Sequence, residues 1–84
     1  MEIRFAQSAR KHRIGKARVN FVMENNSYTV ISSQDGKKVQ WVWIAHDDRG
    51  LELEIVAVVL DRYLLVTHVM PTSLRRRQKD WQQK

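Results

Sequence analysis

The stretch Leu51-Glu52-Leu53-Glu54-Ile55-Val56-Ala57-Val58-Val59-Leu60-Asp61-Arg62-Tyr63-Leu64-Leu65-Val66-Thr67-His68-Val69-Met70 decides the fold. Leu51 to Glu54 alternates apolar and acidic residues with period two, the pattern of a strand with one face in water. Ile55 to Leu60 is apolar on both faces and rich in β-branched residues, which predicts cover on both sides there. Asp61-Arg62 interrupts, and a second strand-like run follows at once. Two such runs separated by two residues predict a tight hairpin. Asp suits such a turn and Arg does not, because a primed turn usually wants Gly second. The hairpin is therefore predicted without a turn type, and it is expected at the centre of the sheet.

Working back from this ribbon, Asp47-Asp48-Arg49-Gly50 reads as a turn that leads into it. Val39-Gln40-Trp41-Val42-Trp43-Ile44-Ala45-His46 reads as the preceding strand, with both Trp on one face. Asp35-Gly36 is a hairpin signal, and Tyr28 to Ser33 is the strand before it. Every connection from Tyr28 onward is short, so an antiparallel meander is the economical topology.

Ahead of the meander, Glu2-Ile3-Arg4-Phe5 alternates as a short first strand. A broken helix is predicted next. Its first part is Ala9 to Arg13 with Ser8 as N-cap and Gly15 as the stop, and its second runs from about Lys16 to Asn25. Ile14, Ala17, Phe21 and Val22 recur there at helical spacing and predict the buried stripe. Lys16 and Arg18 fall in the first turn, where cations oppose the helix dipole at a cost of roughly a few tenths of a kcal/mol. Their retention suggests an anion nearby. Beyond the ribbon, Pro71 ends the last strand. Thr72 or Ser73 can then cap a short basic helix holding Leu74 and Arg75-Arg76-Arg77. The prediction is one α+β domain over residues 1–84, with helices on one face of the sheet and residues 78–84 as a polar tail.

The chain has 84 residues and a net charge of +6. A domain this short buries only about 60–65% of its unfolded surface, so a partner can matter to its stability. Cysteine is absent, which excludes disulfides and thiolate metal sites and suits a reducing cytoplasm. The longest uninterrupted apolar run has six residues, against the roughly 20 needed to span a bilayer. Met1 to Phe5 carries no apolar signal-peptide core, which predicts that the chain is not exported. Six Lys/Arg fall in residues 1–20 and six in residues 62–84, with one acid in each segment. Residues 21–61 hold three Lys/Arg and seven acids. If the fold brings the two basic ends together they form one positive patch, suited to nucleic acid or an acidic protein.

Metal-free RNA cleavage needs a base for the 2′-OH, an acid for the leaving oxygen and cations for the phosphate. Histidine suits the first two roles at neutral pH. His12 lies between Lys11 and Arg13, where neighbouring cations favour its neutral form. His68 lies on the last strand. Each also has a plainer reading: a surface residue for His12, and a buried, hydrogen-bonded one for His68. His46, beside Asp47, reads as a turn residue. Lys11, Arg49, Arg75 and Arg76 are the candidate phosphate ligands. Trp41 and Trp43 can stack bases, but on a strand facing helices they read first as core. Asp47-Asp48 is a poor metal site for want of further ligands.

Lys11-His12-Arg13-Ile14-Gly15-Lys16-Ala17 resembles the Lys-His-Gly-Ile-Ser segment of BrnT-like toxins, within the RelE-like ribonuclease superfamily. Leu65 to Arg76 is similar to that family's last strand passing into an Arg-rich helical segment. The resemblance extends over roughly residues 2–77 through short motifs. It implies a first strand, a broken helix and a curled antiparallel sheet. It also implies a cytoplasmic toxin of a type II toxin–antitoxin system, a metal-independent ribonuclease without a cofactor. Such a toxin cleaves RNA to halt translation and is held by a ribbon-helix-helix antitoxin, as a hetero-oligomer or a homodimer. Two positions depart from the family. Arg13 follows the Lys-His pair where Gly is common, and Met70 stands where an RNA-contacting Arg is usual. Either Arg75 and Arg76 supply that charge, or the chemistry differs. The alternatives are a non-catalytic nucleic-acid-binding module and a basic domain that binds an acidic protein.

Overall fold

The computed structural model describes residues 2–75. The strands are β1 (Glu2–Phe5), β2 (Thr29–Ser32), β3 (Val39–His46), β4 (Glu52–Val59) and β5 (Tyr63–Pro71), and the helix α1 is Lys16–Asn25. They form one five-stranded sheet in the order β1-β5-β4-β3-β2. β2 to β5 make the expected antiparallel meander, and β1 adds to β5 in parallel. This is the predicted α+β architecture, with the β4–β5 ribbon at its centre. Leu60 N–H donates to Tyr63 C=O at 3.0 Å across Asp61-Arg62. Neither turn residue has a positive φ, so the turn is not a primed one.

Period-two alternation sorts the side chains. Trp41, Trp43, Leu53, Ile55, Ala57, Leu64, Val66 and Val69 line the face under α1, where they form the core with Val19 and Val22. Val19, Val22, Leu53, Ile55, Ala57 and Val66 have no solvent exposure. Of the expected stripe, Val22 is buried and Ile14 packs on the core, whereas Ala17 and Phe21 are exposed and Val19 is buried in their place. The 3.6-residue period admits both registers, and the contact with β3 selects the one through Val19. On the far face Val56 and Val58 are half-buried, so cover there is partial, and Ile44 is exposed.

The broken helix differs in detail from the expectation. Its first part is a 3₁₀ helix over Gln7–Arg10. Ser8 does not cap it, since its hydroxyl donates to Thr67 C=O at 2.7 Å. Gly15, in extended conformation, begins α1 instead of ending the preceding turn. The break falls at Arg13, whose φ of 56° is left-handed, an uncommon conformation for a residue with a Cβ. β2 is shorter than predicted by one residue at each end. Gly36, at φ 72°, makes the sharp part of the β2–β3 turn, and Asp35 accepts the Lys37 N–H.

The anion sought for the first turn of α1 is internal. Arg18 donates through Nε and Nη2 to Asp47 Oδ2, the former at 2.8 Å. Asp47 Oδ1 accepts the N–H groups of Arg49 and Leu51 at 2.8 and 2.9 Å. Its side chain has 0% exposure. Burial alone would raise the Asp47 pKa, but Arg18 and the two amides together hold it below the ordinary carboxylate value. Removing one partner leaves an uncompensated buried charge. Asp47→Ala is therefore expected to lower Tm by at least roughly 10 °C in a domain of this size. Arg4→Ala, which opens an exposed pair with Glu2, should shift it by no more than about 3 °C. Circular-dichroism melts of both variants test this, and equal losses would remove Asp47 from its place in the fold.

Candidate active site

Glu54 and His68 lie on the sheet face turned away from α1, on neighbouring strands β4 and β5. Residues 72–75 are helical and begin directly after β5. This turn comes back over the same face, so the predicted packing of helices on one face holds for the 3₁₀ helix, through Ala9, and for α1, but not for this turn. Arg75 Nη2 donates to Glu54 Oε2 at 2.6 Å, and His68 Nε2 meets the same oxygen at 2.8 Å. Thr72, a predicted cap, donates its hydroxyl to Glu52 Oε1 at 2.7 Å. The carboxylate side chain is only 11% exposed, whereas His68 is 37% and Arg75 59% exposed. The cluster therefore has a buried anion at its base and an imidazole and a guanidinium at its surface.

Burial pushes the Glu54 carboxyl up, but hydrogen bonds from Arg75 and His68 outweigh it and hold its pKa below the ordinary 4.5. An ionised carboxylate only accepts, so His68 Nε2 is the donor and Nδ1 is left with the lone pair in the neutral ring. His68 is thus half-buried and hydrogen-bonded, and the carboxylate fixes its tautomer. Arg75 and His68 were expected as separate contributors. The structure joins them through Glu54, which alternation alone assigns to a wet face. Met70 pairs with Glu54 across the strands, so the Arg75 guanidinium reaches the neighbourhood of residue 70 from the following helical turn.

The other candidates lie around this end of the sheet. Arg18 and Asp47 bring the start of α1 to the 47–50 turn, and Leu53 opposite Pro71 brings that turn beside the end of β5. The 3₁₀ helix leaves β1 along Val66 and Thr67. Lys11 borders a cleft of about 520 Å³ with Phe5, Gln7 and Arg10. Arg10 and Phe5 also border a second cleft with Arg13 and Lys16. Lys16 Nζ stands 5.4 Å from the Phe5 ring centre. Arg49 is exposed at its turn and engages Asp47 through its backbone N–H. The cations of the 10–16 segment thus gather with Arg49 and Arg75 at one end of the sheet, whereas Arg62 lies in the β4–β5 turn at the other end. His12 is half-buried beyond the 3₁₀ helix, and among the described residues no hydrogen bond links it to His68. Arg76 and Arg77 lie outside the described residues, as does the tail 78–84. His46 is an exposed strand end, as expected.

The Trp pair is mainly core. Trp43 is 3% exposed, and one face of Trp41 is taken by Tyr28, stacked at 4.0 Å and 12°. Among the described residues no group of three His, Asp or Glu is placed to share a metal ion, and no helix is long and apolar enough to cross a membrane. No family model, no curated protein and no solved structure matches the chain.

A group whose pKa is depressed on folding stabilises the fold above its unfolded value, and that stability is lost as pH falls through the folded value. Glu54 and Asp47 both belong to this class. Tm is therefore expected to stay level from neutrality to about pH 5 and to fall below it. Glu54→Gln should start lower and fall less steeply, in melts recorded between about pH 3 and pH 7. An acid slope unchanged by this substitution would mean that Glu54 is not held ionised.

Proposed function

We propose that this protein is a metal-independent endoribonuclease, the toxin of a cytoplasmic type II toxin–antitoxin pair. The observation that carries the reading is the Glu54–His68–Arg75 cluster, with one carboxylate oxygen shared by an imidazole and a guanidinium. His68 Nδ1 takes the proton of a ribose 2′-OH. The 2′-oxygen attacks the adjacent phosphorus, the bond to the 5′-oxygen breaks, and that oxygen leaves with a proton from water. The products are a 2′,3′-cyclic phosphate and a 5′-OH end. Glu54 is the positioning residue, holding the His68 ring and favouring the imidazolium that forms.

Arg75 has one nitrogen on Glu54, and its remaining N–H groups serve the phosphorane charge. This guanidinium stands in for the Arg that BrnT-like toxins commonly carry where this chain has Met70. Lys11, Arg49 and Arg76 position the RNA backbone with the neighbouring cations of the 10–16 loop. The resemblance over roughly residues 2–77 supplies the toxin context and a ribbon-helix-helix antitoxin as partner.

Labelled single-stranded RNA incubated with the full chain in EDTA is expected to yield fragments ending in 2′,3′-cyclic phosphate. His68→Ala should slow cleavage at least about 100-fold and leave RNA affinity nearly unchanged. Glu54→Gln should slow it roughly 10- to 100-fold. Uncleaved RNA that is retarded in a gel, with binding that weakens steeply as salt rises, would replace the nuclease by a binding module. Neither cleavage nor retardation would favour a domain for an acidic protein.

A further inference from the structure

The two edges of the sheet are built differently. β1, at one edge, carries Glu2 and Arg4, which pair with each other, and the Arg4 guanidinium lies 4.2 Å from the Tyr63 ring centre. Charges of this kind guard an open ladder against pairing with other chains. β2, at the other edge, has the sequence Thr-Val-Ile-Ser, and all four residues are exposed. Val30 is 54% and Ile31 49% exposed. Asn25 to Gln34 is a run of ten residues without a formal charge in a chain that is 29% charged. β2 has no Lys, no Pro and no bulge, and its only protection is its length of four residues.

We propose that β2 pairs antiparallel with β2 of a second copy of this chain, joining two sheets into one across a two-fold axis. Three features select a second copy. The strand is self-complementary. With the axis through Val30, Val30 faces its own equivalent, Thr29 faces Ile31, and Tyr28 faces Ser32, with every pair on a common side of the sheet and none charged. The approach is also electrostatically open. β2 itself carries no charge, and the cations Arg10, Arg13 and Lys16 stand beside Phe5 of β1 at the opposite edge of the sheet, so copies meeting at β2 keep those charges apart. Finally, the register sets the 33–38 turn of one chain, with Lys37 and Lys38, beside the end of α1 in the other. Glu24 lies at that helix end, and among the described residues it forms no ion pair. The two-fold makes this contact twice. Tyr28, stacked on Trp41, extends the apolar contact on the helix side. The inference stands independently of the ribonuclease reading.

Sedimentation equilibrium of the full chain across the micromolar range tests it. The wild type should approach the mass of two chains, with micromolar affinity as suits a small interface. Val30→Lys places like charges face to face and should yield single chains, and so should Val30→Glu. An equimolar mixture of the two should restore the dimer, because opposite charges then meet on the axis. Val30 is exposed, and far-UV circular dichroism checks that the variants fold. Hydrogen exchange of the wild type gives a second reading without substitution, with β2 amides becoming more protected as concentration rises. The proposal is overturned by a wild type that stays single throughout, by Val30→Lys dimers, by a mixture that stays monomeric, or by β2 protection that ignores concentration. A wild type that stays single would leave the edge to a strand of another protein.

Discussion

The fold depends on one buried carboxylate. Asp47 sits where β3 ends, with no side-chain exposure, and a lone ion in that place would be costly. Four donors remove the cost: two nitrogens of Arg18 and the amides of Arg49 and Leu51. The amides shape the turn into β4, and the guanidinium fixes the start of α1 above it. With the helix start held at the turn, Val19 and Val22 meet the sheet, and Phe21 is left outside. A cation that opposes the helix dipole is thereby the residue that seats the helix.

A second carboxylate does the corresponding work on the other face. Glu54 gathers Arg75 and His68, and Glu52 holds Thr72. The chain leaving β5 is thus tied back over the sheet by acids of β4. The two clamps lie at the same end of the sheet on opposite faces, and their effect on charge is selective. Arg18 is neutralised inside the fold, and Arg75 is engaged through one nitrogen. Arg10, Lys11, Arg13, Lys16 and Arg49 form no ion pair among the described residues. The positive field at that end therefore comes mainly from the loop before α1 and from the 47–50 turn, with the histidine–carboxylate pair close by. Electrostatics of this kind serves attraction of a polyanion as well as chemistry upon it.

Much of the architecture was legible in the sequence because it rests on periodicity and turn chemistry. Period two placed β3, β4 and β5, Asp-Gly placed the β2–β3 turn, and Pro71 ended the last strand. The bounds of α1 were also legible, although the apolar spacing marked Ala17 and Phe21, which are exposed, and missed Val19. What was not legible depends on tertiary partners. Ser8 has the chemistry of a cap, but Thr67 C=O is within reach and takes the hydroxyl. Gly15 looked like a stop, but Arg13 adopts the left-handed conformation instead. The candidate site divided in the same way. His68 and Arg75 were singled out from residue type, and the structure brings them together. Glu54 was missed, because alternation reports which face a side chain takes and says nothing of what covers it. A usable signal was present: an acid on a strand next to the one that carries a candidate His is worth testing as its partner.

Residue 70 shows why position and chemistry must be read apart. On the BrnT-like reading proposed above, an Arg is expected where this chain has Met70, and by position alone that is the loss of a cation. The strand register places Met70 opposite Glu54, and Arg75 reaches that same Glu54 from one helical turn beyond the strand. A side chain as long as arginine can come to one spot from a strand or from the helix that follows it, provided an anion waits there. Met70, buried at 5% exposure, instead fills space beneath. A cation delivered from the helix depends on the strand-to-helix junction as a cation on β5 would not. Here Thr72 and Glu52 secure that junction, which makes the Thr72 hydroxyl a condition for where the charge stands.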